Sequence, residues 1–259
     1  PAAAPIIGGW VHVLFGWRAV FILLCLLALT LLLTCHWRLP ETHPPEKRVP
    51  LDLKSLLVAS WHVASDRVFA KLALASGFGI ASMLVFVASA PSIVMDHWQL
   101  HETQFGWLFV PMISGMISGA WLSGRLAGRM SARNQVMLGF GVEMLVGVLA
   151  VTSQLTMQHV PMVLEQLTLT GLAFGFQLAA PVLMLAMLDR FPQVRGTASS
   201  VQGFIMLLAT SSIMGLVAPH LYPSMLRITG FGLCTTIVAT LLWLASMHSG
   251  PTASRYRPS

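Results

Sequence analysis

The sequence predicts an all-α integral membrane protein, and three observations carry that prediction. Of the 259 residues, 56% are hydrophobic and only 9% are charged, against about 25% charged in soluble domains. Apolar runs near the length that crosses a bilayer core as a helix recur along the chain. The loops between them alternate between rich and poor in Lys and Arg. Mean hydropathy is +0.76. A β-barrel is excluded because the apolar runs are continuous rather than alternating. The net charge of +6 would suggest nucleic acid in a soluble protein. Here the cations sit between apolar runs and read as topology signals, so no nucleic-acid partner is expected.

The first run, Ala2–Phe15, is short and carries Pro5 and the pair Gly8 and Gly9. It lacks the basic leader, apolar stretch and cleavage site of a signal peptide. The chain is therefore expected to begin inside a transmembrane helix. Pro5 would bend that helix, and Gly8 and Gly9 would let a neighbouring helix approach closely. A tight turn at Gly16, Trp17 and Arg18 leads to a second run, Ala19–Trp37. Six more follow: Phe69–Ala90, Phe105–Ser123, Gln135–Ser153, Pro161–Leu188, Thr197–Ala218 and Ile228–Met247. The run from Pro161 is long enough to tilt or to emerge from the membrane before Asp189.

Loop charge sets the orientation. Arg38, Lys47, Arg48, Lys54, Arg67 and Lys71 fill the stretch between the second and third runs. The next loop holds Asp96 and Glu102 and no cation. Arg125, Arg129 and Arg133 mark the following loop, Arg190 and Arg195 a later one, and Arg255 and Arg257 the tail. The intervening loops hold at most Arg227, at an edge. The positive-inside rule places every basic loop, and the C-terminus, in the cytoplasm.

The longest connection contains Pro40, Pro44 and Pro45, which forbid a helix there. From Leu51 the pattern changes: Leu53, Leu56, Leu57 and Trp61 recur at helical spacing, with Asp52, Lys54 and Asp66 between. This reads as a short amphipathic helix on the cytoplasmic membrane face. The organisation is then 1–38, the end of a first bundle; 39–68, a linker; 69–248, a six-helix second bundle; and 249–259, a tail. Two spans precede the linker and six follow, so a symmetrical protein would have four more helices upstream. The chain by itself, with half of such a cavity missing, is not expected to transport.

That layout resembles the major facilitator superfamily. Within it the chain resembles the twelve-helix drug:proton antiporters, most closely the bicyclomycin/chloramphenicol resistance (Bcr/CflA) group. "APIIGGW" is similar to the end of the antiporter motif of the fifth helix, with Ala4 where the motif has glycine; Pro5, Gly8 and Gly9 are the matching residues. "GWRAVF" and "LPET" resemble the entry to and exit from the sixth helix. "SGRLAGRMSARN" resembles the family's Gly- and Arg-rich cytoplasmic gating loop, with Gly124, Arg125 and Arg129 matching and Gly128 or a neighbour in place of its aspartate. "RGTASSVQGF" resembles the opening of the eleventh helix. The resemblance implies a bacterial inner-membrane secondary transporter, multi-pass, exporting drug-like molecules in exchange for protons by alternating access. It implies no cofactor beyond the proton gradient. A metabolite exporter of the same fold, for sugars or amino acids, is the alternative.

Candidate transport residues follow from the cost of polarity in a membrane. Glu143, near the middle of its run, would carry a proton or recognise a cation; alternatively it holds a proton bonded to a neighbouring helix, and the family layout makes this ninth helix peripheral. Glu165 lies a turn inside the next run, where it would attract cationic substrates or reach the outer interface. Gln166 and Gln177, about three turns apart, and Gln202 offer amides to a substrate or to another helix. Phe78, Met83, Phe86, Met206 and Met214 are candidate cavity walls, because flexible, polarizable side chains suit diverse apolar ligands. Gly115, Gly119 and Gly124 suit a helix–helix contact.

No metal site is expected. His97 and His101 lie four apart in a short polar loop with no helix to align them. Cys25, Cys35 and Cys234 fit neither a zinc motif nor a disulfide framework. No phosphate-binding loop or hydrolase signature occurs, and the buried polar residues are too scattered for an enzyme.

Overall fold

The computed structural model describes residues 3–39 and 53–248. The predicted proline break at Pro40, Pro44 and Pro45, the cations Lys47 and Arg48, and the tail with Arg255 and Arg257 lie outside the described residues.

Ten α-helices make up the described chain: α1 Ala3–Phe15, α2 Trp17–Arg38, α3 Leu53–Ala64, α4 Arg67–Ala88, α5 Gly106–Leu126, α6 Ala132–Thr156, α7 Met162–Arg190, α8 Arg195–Ser212, α9 Ala218–Leu221 and α10 Met225–Met247. A π-helical turn, Ile213–Val217, joins α8 to α9, and another spans Ser92–His97. Seven helical spans are long and apolar enough to cross a membrane: α2, α4, α5, α6, α7, the α8–α9 unit and α10. They match the seven whole runs read from the sequence.

Helix ends follow local chemistry. Asp66 caps α4 by accepting from the Phe69 N–H at 2.7 Å, and Ser131 caps α6 by accepting from Asn134 N–H at 3.2 Å. Each satisfies an amide that the helix leaves unpaired. Gly16 sits at φ +81°, a backbone state that costs glycine little. That one residue breaks the helix, so Trp17 and Arg18, expected in the turn, are already the first turn of α2.

α7 is the central helix of the bundle, packing on both α5 and α6; α10 packs on α4 and α6, and α4 also meets α8. Two apolar clusters fill the interior. One, toward the arginine-bearing ends of α5 and α7, includes Phe69, Phe140, Leu183, Met187, Phe191 and Trp243. The other, toward the opposite end, includes Phe86, Ile93, Leu108, Leu172 and Ile228. Between them the backbones close on each other. A Cβ on Gly175 would lie 2.7 Å from Gly139 O, and one on Gly115 only 2.2 Å from Thr170 O.

α3 forms where the amphipathic pattern predicts it. Ala59 and Val63 are buried, while Leu56, Leu57 and Trp61 are exposed, with α3 resting on α8. Small residues settle against the bundle and the large apolar ones stay open. At the α3–α4 corner both carboxylate oxygens of Asp66 accept from Arg190, at 2.7 and 2.8 Å. Phe191 packs edge-on against Phe69 and His62, with centroids 5.7 and 6.0 Å apart.

α2 buries none of its residues against the rest of the protein. Nothing lies within 4 Å of a Cβ placed on Gly8 or Gly9, so the close helix approach expected there is absent among the described residues. The side chain of Pro5 lies outside the described residues.

Candidate functional site

The layer between the two apolar clusters is polar. Glu143 of α6 is fully buried in it. The close backbones place it: a Cβ on Gly175 would stand 2.8 Å from Glu143 Cγ. Ser82 of α4 and Thr236 of α10 both reach Oε2, at 3.0 and 3.2 Å. Oε1 has no hydrogen-bond partner among the described residues. Ser82 also has Gly79 O at 2.7 Å, and Thr236 has Gly232 O at 3.2 Å. Each hydroxyl has one hydrogen, so neither can donate to both acceptors. A proton on the carboxyl would let Glu143 donate to Ser82 Oγ while Ser82 keeps its bond to Gly79; Thr236 would still choose between Oε2 and Gly232 O. The node thus ties α4, α6 and α10 through one carboxyl. Glu143→Gln keeps the volume and a donor and is expected to change stability by less than about 1.5 kcal/mol. Glu143→Ala empties the site and should cost about 2 kcal/mol or more. Thermal unfolding in detergent separates them, and equal losses would show that the carboxyl itself is required.

Glu165 of α7 forms a second node near the end of the bundle opposite the arginines. Trp98, from the α4–α5 connection, donates its indole N–H to Oε2, and Gln154 of α6 donates its amide to Oε1 at 3.0 Å. Glu165 is 8% exposed, so it does not reach out to an interface. Beside it Phe86, Thr168 and Thr229 help line a cavity of about 10 Å³, room for about one water. Nearby, Ser92 donates to Tyr222 O at 3.1 Å and His97 Nε2 lies 3.1 Å from the same oxygen.

The three amides do not converge. Gln166 donates to Trp107 O of α5 at 2.8 Å, an interhelical bond. Gln202 points along its own helix to Met206 Sδ, 3.7 Å away. Gln177 is half-buried on α7. Of the candidate cavity walls, Met83 and Phe86 are buried in the second apolar cluster, because the face of α4 that carries them packs inward. Phe78, Met206 and Met214 are half-buried. Gly115 and Gly119 make the predicted contact, with α7, but Gly124 does not; nothing lies within 4 Å of its Cβ position.

Gly124 instead lines a crevice of about 520 Å³ among residues of α5, α6 and α7. Arg125 lies beside it with its guanidinium over the Trp121 ring, 4.2 Å from the centroid. Gly128, at φ +76°, makes the turn before Arg129. No group of three or more His, Cys, Asp or Glu side chains that would hold a metal occurs among the described residues.

Sequence reading missed Ser82, Thr236, Trp98 and Gln154 as partners of the two glutamates. It also missed the Asp66–Arg190 pair. Asp66 had a usable signal, an acid just before a helical run, but its partner lies 124 residues away.

Seven long apolar spans, two sealed carboxyl nodes and an arginine-rimmed end define a polytopic helical membrane protein. Residues 1–219 match the Major Facilitator Superfamily. The chain belongs to that superfamily. It is 31% identical over 248 residues to the multidrug transporter MdfA of Edwardsiella piscicida, covering 95% of this chain and 58% of that protein. It is 29% identical over 220 residues to a bicyclomycin resistance protein homolog of Haemophilus influenzae, covering 83% and 53%. An MdfA of Escherichia coli O157:H7 is 29% identical over 211 residues. The chain spans about half the length of these curated relatives.

Proposed function

We propose that these residues form part of a proton-coupled secondary transporter that exports drug-like molecules across the bacterial inner membrane. Residues 1–38 are the end of its first bundle, 39–68 the linker, 69–248 the second bundle and 249–259 a cytoplasmic tail. The similarity of nearly the whole chain to transporters named for multidrug and bicyclomycin resistance carries this reading. Alternating access would rock one bundle against the other about a site near the midplane. The basic ends of α5, α7 and α8 face the cytoplasm in this reading, which follows the distribution of their arginines.

In this mechanism the Glu143 node is a fixed joint. It opens to no described cavity, so its proton stays within α4, α6 and α10. Glu165, with Trp98 and Gln154, holds the outer ends of α6 and α7 to the α4–α5 connection. Gly124, Arg125 and Arg129 lie at the cytoplasmic gate.

The test is proton-driven dye transport in inverted membrane vesicles, with the protein expressed from its native reading frame. Transport should appear on energisation, collapse with a protonophore and persist in Glu143→Gln. Loss in Glu143→Gln at normal expression would make that carboxyl part of the coupling path. No dye movement, with a sugar or amino acid exported instead, would overturn the drug substrate.

A further inference from the structure

α5 and α7 run in backbone contact at Gly115 and Gly119, where added Cβ atoms would lie 2.2 Å from Thr170 O and 2.4 Å from Phe174 O. Toward the arginine-bearing end a crevice lies beside this seam. Nothing lies within 4 Å of a Cβ on Gly124, and Pro181 stands in α7 across from it. Together with the start of α6 they enclose the crevice of about 520 Å³, inside the range of about 300–1,000 Å³ typical of small-ligand pockets.

The crevice is built for a chain, not for a polar solute. Ala120, Val182, Leu185 and Ala186 join Gly124 and Pro181 in its walls. Its buried amide, Gln135, is already committed to Ser123 Oγ at 2.7 Å and to the carbonyls of Ser123 and Leu178 at 3.3 Å. Its acid, Asp189, is paired with Arg195 at 2.7 Å. The residues next in sequence to its walls at Gly124, Gly128 and Ala132 have the opposite character. Arg125, Arg129 and Arg133 are exposed and form no ion pair among the described residues. Arg125 lies over the exposed ring of Trp121, an aromatic residue of the kind that settles at the headgroup level.

We propose that this crevice binds one anionic phospholipid, its acyl chain between α5 and α7 and its phosphate on Arg125 and Arg129. Charge decides the occupant. Basic pockets between membrane helices select anionic headgroups, whereas a protein segment filling this crevice would have to bring its own acids to match three arginines. The inference needs the membrane spans and not the identity of any transported molecule.

Native mass spectrometry of the protein with equal phosphatidylglycerol and phosphatidylcholine tests it. The expected result is retention of phosphatidylglycerol by about tenfold over phosphatidylcholine. That preference should vanish in Arg125→Gln/Arg129→Gln and persist in Arg227→Gln, a cation at the opposite end. Ala186→Phe, which fills the crevice at constant charge, should also lose it. Equal retention of the two lipids, or undiminished selectivity in Ala186→Phe, overturns the proposal. The unsubstituted protein gives an independent readout with phosphatidylglycerol carrying a photoreactive acyl chain. Labelling within residues 181–186 supports the site. Labelling elsewhere, as when a protein segment occupies the crevice, overturns it.

Discussion

Gly115→Ala is expected to unfold the bundle in detergent at a much lower temperature than Gly124→Ala. Both glycines lie on α5 and both fit the small-residue pattern in the sequence, but their surroundings are opposite. A methyl on Gly115 would stand 2.2 Å from Thr170 O, while one on Gly124 meets nothing within 4 Å. The clash is with backbone, so no side chain can rotate to relieve it. α5 and α7 must move apart, and the apolar cluster containing Leu108, Met112, Leu169 and Leu172 opens with them. Overpacking of this kind costs about 1–3 kcal/mol and more where the backbone cannot yield. Gly124→Ala should be neutral or slightly stabilising, because alanine is the better helix former. Similar melting temperatures for the two variants would mean that α5 and α7 do not touch at Gly115.

Asp66→Ala should cost about 2–3 kcal/mol, the second large effect. The side chains of Asp66 and Arg190 are 10% and 12% exposed, and removing one partner leaves a poorly solvated charge behind. The substitution also removes the cap of α4, worth about 1 kcal/mol by itself. Asp189→Ala is the control. Its partner Arg195 is equally near at 2.7 Å, but the two side chains are 57% and 63% exposed, so solvent screens the pair and the loss should stay below about 1 kcal/mol. The pH dependence follows. Burial alone would raise the Asp66 carboxyl, but the hydrogen bonds and charge of Arg190 and the Phe69 amide outweigh it and hold the group below the usual aspartate range. The unfolded chain therefore binds the proton more readily. The pair's contribution is present in full above the ordinary aspartate range and is lost as pH falls through the lower, folded value. Acid unfolding should begin at higher pH in Asp66→Asn than in the unsubstituted protein.

The helices were legible in the sequence because a membrane span is a local property: length and hydropathy suffice, and each run from Ala19 to Met247 has its helix. Gly115 and Gly119 were legible for a related reason, since small residues four apart fall on one face. Gly124 lies five residues beyond Gly119, off that face, and nothing lies within 4 Å of its Cβ position. The candidate site was half legible. Glu143 and Glu165 stood out by the cost of burying them. Their partners did not, because Ser82, Thr236 and Gln154 are ordinary helix residues until the fold brings three helices together. The burial of Met83 and Phe86 in the second apolar cluster was not legible for the same reason: composition gives adaptability, and only packing gives the side a residue faces.

The bare surface of α2 has a practical consequence. A helix of 22 residues that buries none of them here takes no instruction from the bundle about its rotation or depth. Whatever surrounds it must supply that instruction. A scan of substitutions along α2 should therefore be silent in any assay that melts the bundle, even where the changes are drastic. The same scan read as membrane insertion should be loud, with each charge placed near its centre lowering the yield of correctly threaded protein. Stability screening alone would call α2 dispensable, and the error would lie in the choice of readout.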